Sequence, residues 1–518
     1  MAGIPLHLLF LPLLMIITII PLAYLLRSPH RRHAAGLRLP PGPWALPVIG
    51  HLHHLLLDAL PHRKLRDLSR RHGPLMLIRL GELPVVVASS ADAAREITKT
   101  NDLAFATRPI GPATRLALPD GAEGLIFAPY GDVWRQLRRI CTVELLSARR
   151  VRSFRAVREQ DAGRLLREVA AAAEQAVNLS SCISSYVADS AVRAIMGSRF
   201  RDRAEFFRLM EKGIELFSRP SLPDLYPSSR LAMLVSGVPD RMRRVRVEMM
   251  AFMDSIIQEH QLSKADDTDN KEEDLLDVLL RIQRDGDLEF PITMDNIKVV
   301  IADLFLAGSE TSATTLQWAM SELMRNPRVM RQAQDEIRQV LKGQERVSEA
   351  SLGELDYFHL VIKETLRLHP PSPLLLPREC RSPCRVLGFD VPVGATVLVN
   401  AWAIGRDPVH WDAPEEFAPE RFGHGRSSVD LKGTNFEFIP FGAGRRMCPG
   451  MMFGLASVEI ALASLLYHFD WKLPHGMAAE EAVDMKEVMG VTARRRSDLL
   501  LVPVVHAPVP AYDPLTID

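Results

Sequence analysis

The chain opens on an apolar run, Ile4 to Leu26, "IPLHLLFLPLLMIITIIPLAYLL", with no formal charge. At ~1.5 Å per residue a helix over it reaches roughly 34 Å, enough to cross a hydrocarbon core of ~30 Å. Prolines at 5, 12 and 21 would break a soluble helix but are better tolerated within a membrane. Positive charge follows the run, at Arg27, Arg31, Arg32 and Arg38. A cleaved secretory signal carries that charge ahead of it, so the pattern favours a retained signal-anchor with the rest of the chain on the cytosolic side. That orientation leaves the acceptor Asn178-Leu179-Ser180 unmodified. "LPPGPWALPVIG" (39–50) cannot continue the helix and reads as a stiff hinge. We expect three segments: an anchor over 1–27, a basic and Pro-rich hinge over 28–50, and one large domain over 51–518.

Beyond the hinge, "PLMLIRLGELPVVVAS" (74–89) has β-branched runs about a turn, a hairpin pattern. From Ala91 to Asn326 apolar residues recur at three- and four-residue spacing, and a further helical stretch covers Met320 to His369. "SKADDTDNKEED" (263–274) is charged and nearly devoid of apolar residues, a surface connection. Strand character returns in "CRVLGFDVPVGATVLVN" (384–400). The sum is a mainly α fold with a small β region (α+β), its sheet drawn from both ends of the chain. Alternating βα units are missing, which excludes a doubly wound sheet.

Lys+Arg and Asp+Glu both number 63 and aromatics make up only 6%, so a nucleic-acid binder is excluded. Five cysteines are too few and too scattered for a disulfide framework. Cys380 and Cys384 have no second pair to complete a zinc site.

Cys448 sits in "FGAGRRMCPG" (441–450), ahead of the apolar "GMMFGLASVEIALASLLYHF". The glycines permit a bend that brings backbone close to a flat object. A helix N-terminus and the nearby Arg445 and Arg446 favour thiolate over thiol. Such a cysteine could be a nucleophile or an axial metal ligand. The first needs a His base, and no cysteine-protease signature accompanies it.

"FGAGRRMCPG" resembles the haem-binding loop of the cytochrome P450 family, matching at Phe441, Gly444, Arg446, Cys448 and Gly450. "AGSET" (307–311) is similar to the family's oxygen-activation motif, "ETLR" to its Glu-x-x-Arg pair at Glu364 and Arg367, and "PERF" (419–422) to the segment supplying Arg421. "WRQLRR" resembles the helix whose Trp134 and Arg138 reach a haem propionate. The motifs occur in order over essentially the whole chain.

The resemblance implies haem b held by the Cys448 thiolate, with Phe441 and Gly442 in its loop. It places Arg446, Trp134, Arg138 and Arg378 on the propionates. Thr311 and Glu310 would deliver protons to dioxygen, with Gly308 where the helix opens to admit it. Glu364, Arg367 and Arg421 would form a structural network. The arginines of "RRVRSFRAVR" (149–158) read first as a solvated face and second as a docking surface for an acidic reductase. By family position, the substrate pocket would be lined by Leu116, Leu118 and Phe127; by Ile301, Leu304, Phe305 and Ala307; by Leu374, Leu375 and Leu376; and by Val491 within Met489–Thr492.

That lining is nearly all apolar, which suits a neutral hydrophobic ligand. The wording of the motifs is similar to plant microsomal enzymes of specialised metabolism. It implies residence in the endoplasmic reticulum membrane as a single-pass protein. It further implies O2 as co-substrate and NADPH electrons supplied through NADPH–cytochrome P450 reductase. A terpenoid is the expected substrate; phenylpropanoids or flavonoids, indoles and oximes are alternatives. Further alternatives are a reductase-independent isomerase or dehydratase on the same fold, a haem sensor, and a cysteine hydrolase. The intact "GSET" argues for the monooxygenase.

Overall fold

A computed structural model describes residues 36–56, 60–122, 124–197, 203–217, 221–265, 273–423, 429–474 and 483–510. The expected membrane anchor, 1–27, lies outside the described residues. We number the longer helices in chain order: α1 (Pro61–His72), α2 (Asp132–Ile140), α3 (Arg155–Ala171), α4 (Leu179–Met196), α5 (Arg203–Phe217), α6 (Val238–Ala265), α7 (Leu275–Asp285), α8 (Met294–Arg325), α9 (Pro327–Val340), α10 (Asp356–Leu368) and α11 (Met451–His468).

Helix α8 organises the body. Thr293 and Asn296 start it with a reciprocal cap, each side chain accepting the other's backbone N–H at 3.1 and 3.0 Å. Its C-terminal half is buried against α4 and α11, where Leu316, Met320 and Leu323 meet Ile183, Val187, Leu462 and Leu465. Its N-terminal half enters a second core with Ile195, Met253, Ile257 and Leu276. One helix therefore links both cores, consistent with an apolar pattern that runs around more than one face. Another local cap is Asn178, whose Oδ1 accepts the Ser181 N–H at the start of α4.

The sheet joins distant parts of the chain. β1 (Leu75–Leu80) and β2 (Leu83–Ala88) form the expected hairpin, with Leu80 opposite Leu83. β7 (Thr396–Val399) runs parallel to β2, and β4 (Arg378–Glu379) pairs antiparallel with β7, giving the order β1-β2-β7-β4. β3 (Val177–Asn178), β11 (Leu500–Val505) and β8 (Phe469–Lys472) make a second sheet. Two small hairpins remain: β5 (Cys384–Val386) with β6 (Phe389–Val391), and β9 (Glu487–Met489) with β10 (Ala493–Arg495).

Part of the Pro-rich stretch is built into this body. Leu77 N–H donates to Pro41 O at 2.9 Å, and a Cβ on Gly42 would fall 2.1 Å from Leu77 O. Only glycine fits that approach.

Of the arginines expected on a solvated face, Arg158 departs. It is 1% exposed and donates to Glu349 and Val151 O, tying α3 to the segment before α10. Its charge is paired, which is what allows burial.

Candidate active site

Cys448 lies just before α11, its N–H donating to Phe441 O at 3.0 Å. Gly442 and Gly444 both hold positive φ (69° and 70°). Their reasons differ. A Cβ on Gly442 would meet only Leu375, at 3.7 Å, so that side of the loop is open. A Cβ on Gly444 would lie 2.1 Å from Thr98 O, so this glycine serves a backbone contact within the protein. Phe441 packs against the core of α8, α4 and α11.

Burial pushes the Cys448 thiol up, opposed by a Gly450 backbone hydrogen bond and the Arg138 charge. Arg445 instead engages Asp102 through its backbone N–H at 3.0 Å.

Arg446 donates to the carbonyls of Ala106 at 2.6 Å and Ala128 at 2.5 Å, and its guanidinium lies 4.0 Å from the Trp134 ring centroid. Trp134 Nε1 donates to Leu125 O at 3.0 Å. Arg138 donates to Met447 O at 2.5 Å, beside Cys448. Arg378 on β4 donates to Ala443 O at 2.7 Å and to Asp102 at 3.2 Å. Arg108, missed in the sequence, holds the carbonyls of Leu376 and Pro377 at 2.8 and 2.7 Å. The motif donors thus knit the loop to the 106–128 segment through main-chain carbonyls.

The charges carry the chemistry. Burial, with Arg378, Arg446 and Arg138 close by, holds Arg108 well below its ordinary range. Burial and two of the same neighbours bring Arg446 down to about 9. Asp102 pairs with Arg378 and Arg445, and Nε of Arg108 is buried without a partner. Mutually repelling guanidiniums with so little countercharge make a site for a dianionic ligand. Two carboxylates beside a buried sulfur fit haem.

α11 meets α8 closely, since a Cβ on Gly454 would lie 3.4 Å from Ser312 Oγ. Next to Ser312 is Thr311, whose Oγ1 donates to Ala307 O at 2.6 Å. Ser309 bonds back to Phe305 O and Thr315 to Thr311 O in the same way, at 2.8 and 2.9 Å. Despite these bonds α8 stays helical through Gly308, so the expected opening is not present. Space beside Gly308 is open, with nothing within 4 Å of a Cβ placed there. Glu310 Oε1 accepts the Thr492 hydroxyl at 2.7 Å, and Thr492 contacts Thr314 Oγ1 at 3.1 Å. Oε2 of Glu310 is buried without a partner.

The family model described as Cytochrome P450 matches residues 40–499. The chain belongs to the cytochrome P450 family. This P450 is 50% identical over 474 residues to a desmethyl-deoxy-podophyllotoxin synthase of Sinopodophyllum hexandrum, covering 90% of this chain and 92% of that one. It is 44% identical to a premnaspirodiene oxygenase of Hyoscyamus muticus (96% and 99% covered) and to a salviol synthase of Salvia pomifera (93% and 94%). A zebra fish cytochrome P450 structure with abiraterone superposes with a TM-score of 0.72 at 25% identity, covering 86% of this chain and all of that one. The protein is a plant specialised-metabolism P450, a monooxygenase with haem on a cysteine thiolate.

Glu364, Arg367 and Arg421 of this P450 form a closed network. Arg367 makes a bidentate pair with Glu364 at 2.7 and 2.8 Å, and Arg421 Nε joins at 2.9 Å. Arg367 also takes the carbonyls of Gly405, Pro414 and Glu416. Both members of the pair have fully buried side chains, so the network fixes the chain leading into the haem loop.

The pocket residues divide. Ala307 is exposed although it sits on a buried helix, and Leu304 and Phe127 are half-buried. Leu376 is 43% exposed and Leu118 is buried. Leu116, Leu374 and Val491 are half-buried; Leu375 is too, and its φ of 50° is adopted against the haem loop. Ile301 departs from expectation, being fully buried in the second core. Phe305 does as well, its ring 4.5 Å from Phe206. Both sit on the face of α8 that packs against α5 and α6. Sequence reading also missed Asp303. Its Oδ2 accepts the N–H groups of Leu125 and Ile126 at 2.7 and 3.1 Å, and burial pushes its carboxyl up to about 7. The signal was a charge inside the apolar "VVIADLFLAG".

Proposed function

We propose that this monooxygenase hydroxylates a small, neutral, apolar plant metabolite, a terpenoid, using O2 and NADPH electrons delivered by NADPH–cytochrome P450 reductase. The observation carrying this reading is that both carboxylates on the pocket stretch of α8 already have partners within the protein. Asp303 is turned to the amides of Leu125 and Ile126, and Glu310 is held by Thr492. Neither is set out as a countercharge for a cationic substrate, and the remaining lining is aliphatic or aromatic. A relative named for premnaspirodiene, by its name a hydrocarbon diene, supports it.

Cys448, Trp134, Arg108, Arg138, Arg378 and Arg446 would hold the haem, which when bound supplies dioxygen activation and oxygen insertion. The chain's own groups then divide the work. Phe441 O fixes the Cys448 backbone, and Arg138 sets positive charge beside the sulfur. Thr311 keeps its hydroxyl proton on Ala307 O and can turn it toward the pocket by rotation about χ1. Glu310, pinned at Oε1, keeps Oε2 free to pass a proton inward. The apolar lining excludes water.

Residues 1–27 would anchor the protein in the endoplasmic reticulum membrane with the catalytic body in the cytosol. A second reading, a phenylpropanoid or other oxygenated substrate, is favoured by the relative named for a podophyllotoxin derivative. The test is a carbon-monoxide difference spectrum of wild type and Cys448→Ser, followed by turnover with reductase, NADPH and 18O2 over a panel of terpene hydrocarbons and phenylpropanoids. A thiolate-type Soret band lost in the variant, with 18O in a terpenoid product, supports the reading. Labelled product from phenylpropanoids alone selects the second.

A further inference from the structure

Away from the haem site, Cys380 and Cys384 flank the exposed turn Arg381–Pro383 between β4 and β5. Both thiols are free and their sulfurs lie 3.8 Å apart. A disulfide bond is about 2.05 Å long, so joining them takes a sulfur movement of ~1.8 Å, within reach of side-chain rotation. The sheet maintains this approach. Cys380 N–H donates to Ala395 O at 2.9 Å, its carbonyl accepts from Gly394 N–H at 2.7 Å, and Cys384 pairs with Val391 across β5–β6.

The two thiols differ in access. Cys380 is fully buried, whereas Cys384 is half-buried beside the exposed turn and between Arg381 and Arg385. A bulky anionic reagent can reach Cys384 alone. We propose that Cys380 and Cys384 form a reversible dithiol–disulfide site, oxidised by a low-molecular-weight disulfide of the glutathione class, with Cys384 the entry sulfur and Cys380 the resolving one.

In the first step Cys384 sulfur attacks glutathione disulfide, breaking its S–S bond and releasing one glutathione. The Cys384 proton is given up to solvent as its sulfur attacks, and the departing glutathione thiolate takes one up. Cys380, its own proton then given up to solvent, attacks Cys384 sulfur, breaks the mixed disulfide and releases the second glutathione, which is protonated in turn. Two thiols are oxidised by two electrons and one glutathione disulfide is reduced to two thiols. The contact with Cys384 holds the Cys380 thiol below its ordinary range, which favours the thiolate that the resolving step needs.

The test is a titration of full-length holoprotein in glutathione buffers from fully reduced to fully oxidised, quenched by alkylation and mapped by tryptic mass spectrometry. The linked peptides carrying Cys380 and Cys384 are expected to rise with glutathione disulfide and disappear on adding excess glutathione. Cys380→Ser should leave Cys384 with a stable glutathione adduct, and Cys384→Ser should show neither link nor adduct. A stable wild-type adduct at Cys384 without the link would overturn the proposal. So would a dithiol that persists to the fully oxidised end. The carbon-monoxide spectrum of each sample certifies an intact fold, and the readout does not depend on the substrate.

Discussion

Thr492, on the turn between β9 and β10, donates its hydroxyl to Glu310 on α8 across 2.7 Å. The carboxylate expected to pass protons is therefore oriented by a residue far away in sequence. A hydrogen bond to a charged group is worth about 1.5–3 kcal/mol. Thr492→Val keeps the shape and removes the donor. Product formed per NADPH should fall roughly tenfold with peroxide released instead, while Thr492→Ser restores coupling. Unchanged melting temperature and carbon-monoxide spectrum in the Val variant would separate orientation from folding.

Glu364 receives Arg367, Arg421 and the Ala418 N–H. Glu364→Gln leaves two largely buried guanidiniums without the one carboxylate they share, at a cost of about 3–5 kcal/mol. The expected result is little or no haem-loaded protein, read as absorbance per mole of chain. Arg421→Lys, at a side chain that is itself 10% exposed in the wild type, should be milder.

Asp303 gives a pH dependence. Its carboxyl is raised from 3.8 to about 7 in the fold. The folded state therefore prefers the proton, and stability falls as pH rises from about 4 to about 7, then levels off. The span is at most about 4 kcal/mol. Asp303→Asn keeps an oxygen for the Leu125 and Ile126 amides and removes the ionisation. Comparing denaturant midpoints at pH 5 and pH 8 should show the variant gaining on wild type at the higher pH. An equal gap at both would count against a titrating Asp303.

Arg108 belongs to the cation cluster, so Arg108→Gln should release haem faster, by about tenfold for the loss of one charge-assisted bond. Haem transfer to an acceptor globin measures this directly. Faster release in Arg445→Gln, whose side chain is half exposed and turned to Asp102, would point to general charge and not to the cluster.

Much of the site was legible because its chemistry is written in contiguous motifs. Cys448, Arg446 and the Glu364–Arg367 pair are fixed by spacings within one loop or one helix. Arg108 and the bond from Thr492 to Glu310 were not legible, since they join partners 268 and 182 residues apart and each starts in a loop without periodicity. Ile301 and Phe305 were misplaced for another reason. α8 is apolar on several faces, and periodicity alone does not say which face meets α5 and α6 and which meets the pocket. The hairpin of β1 and β2 was read from its turn, whereas the parallel register of β2 with β7 spans the chain.

Arg446 grips the segment 106–128 through carbonyl oxygens of Ala106 and Ala128, and Trp134 does the same at Leu125. Every amino acid has that oxygen. The grip therefore constrains the path of the segment without constraining its side chains, among them Leu116, Leu118 and Phe127. A library randomised at those three positions should keep its haem while its preferred substrates diverge, which makes the segment a natural place to redesign selectivity.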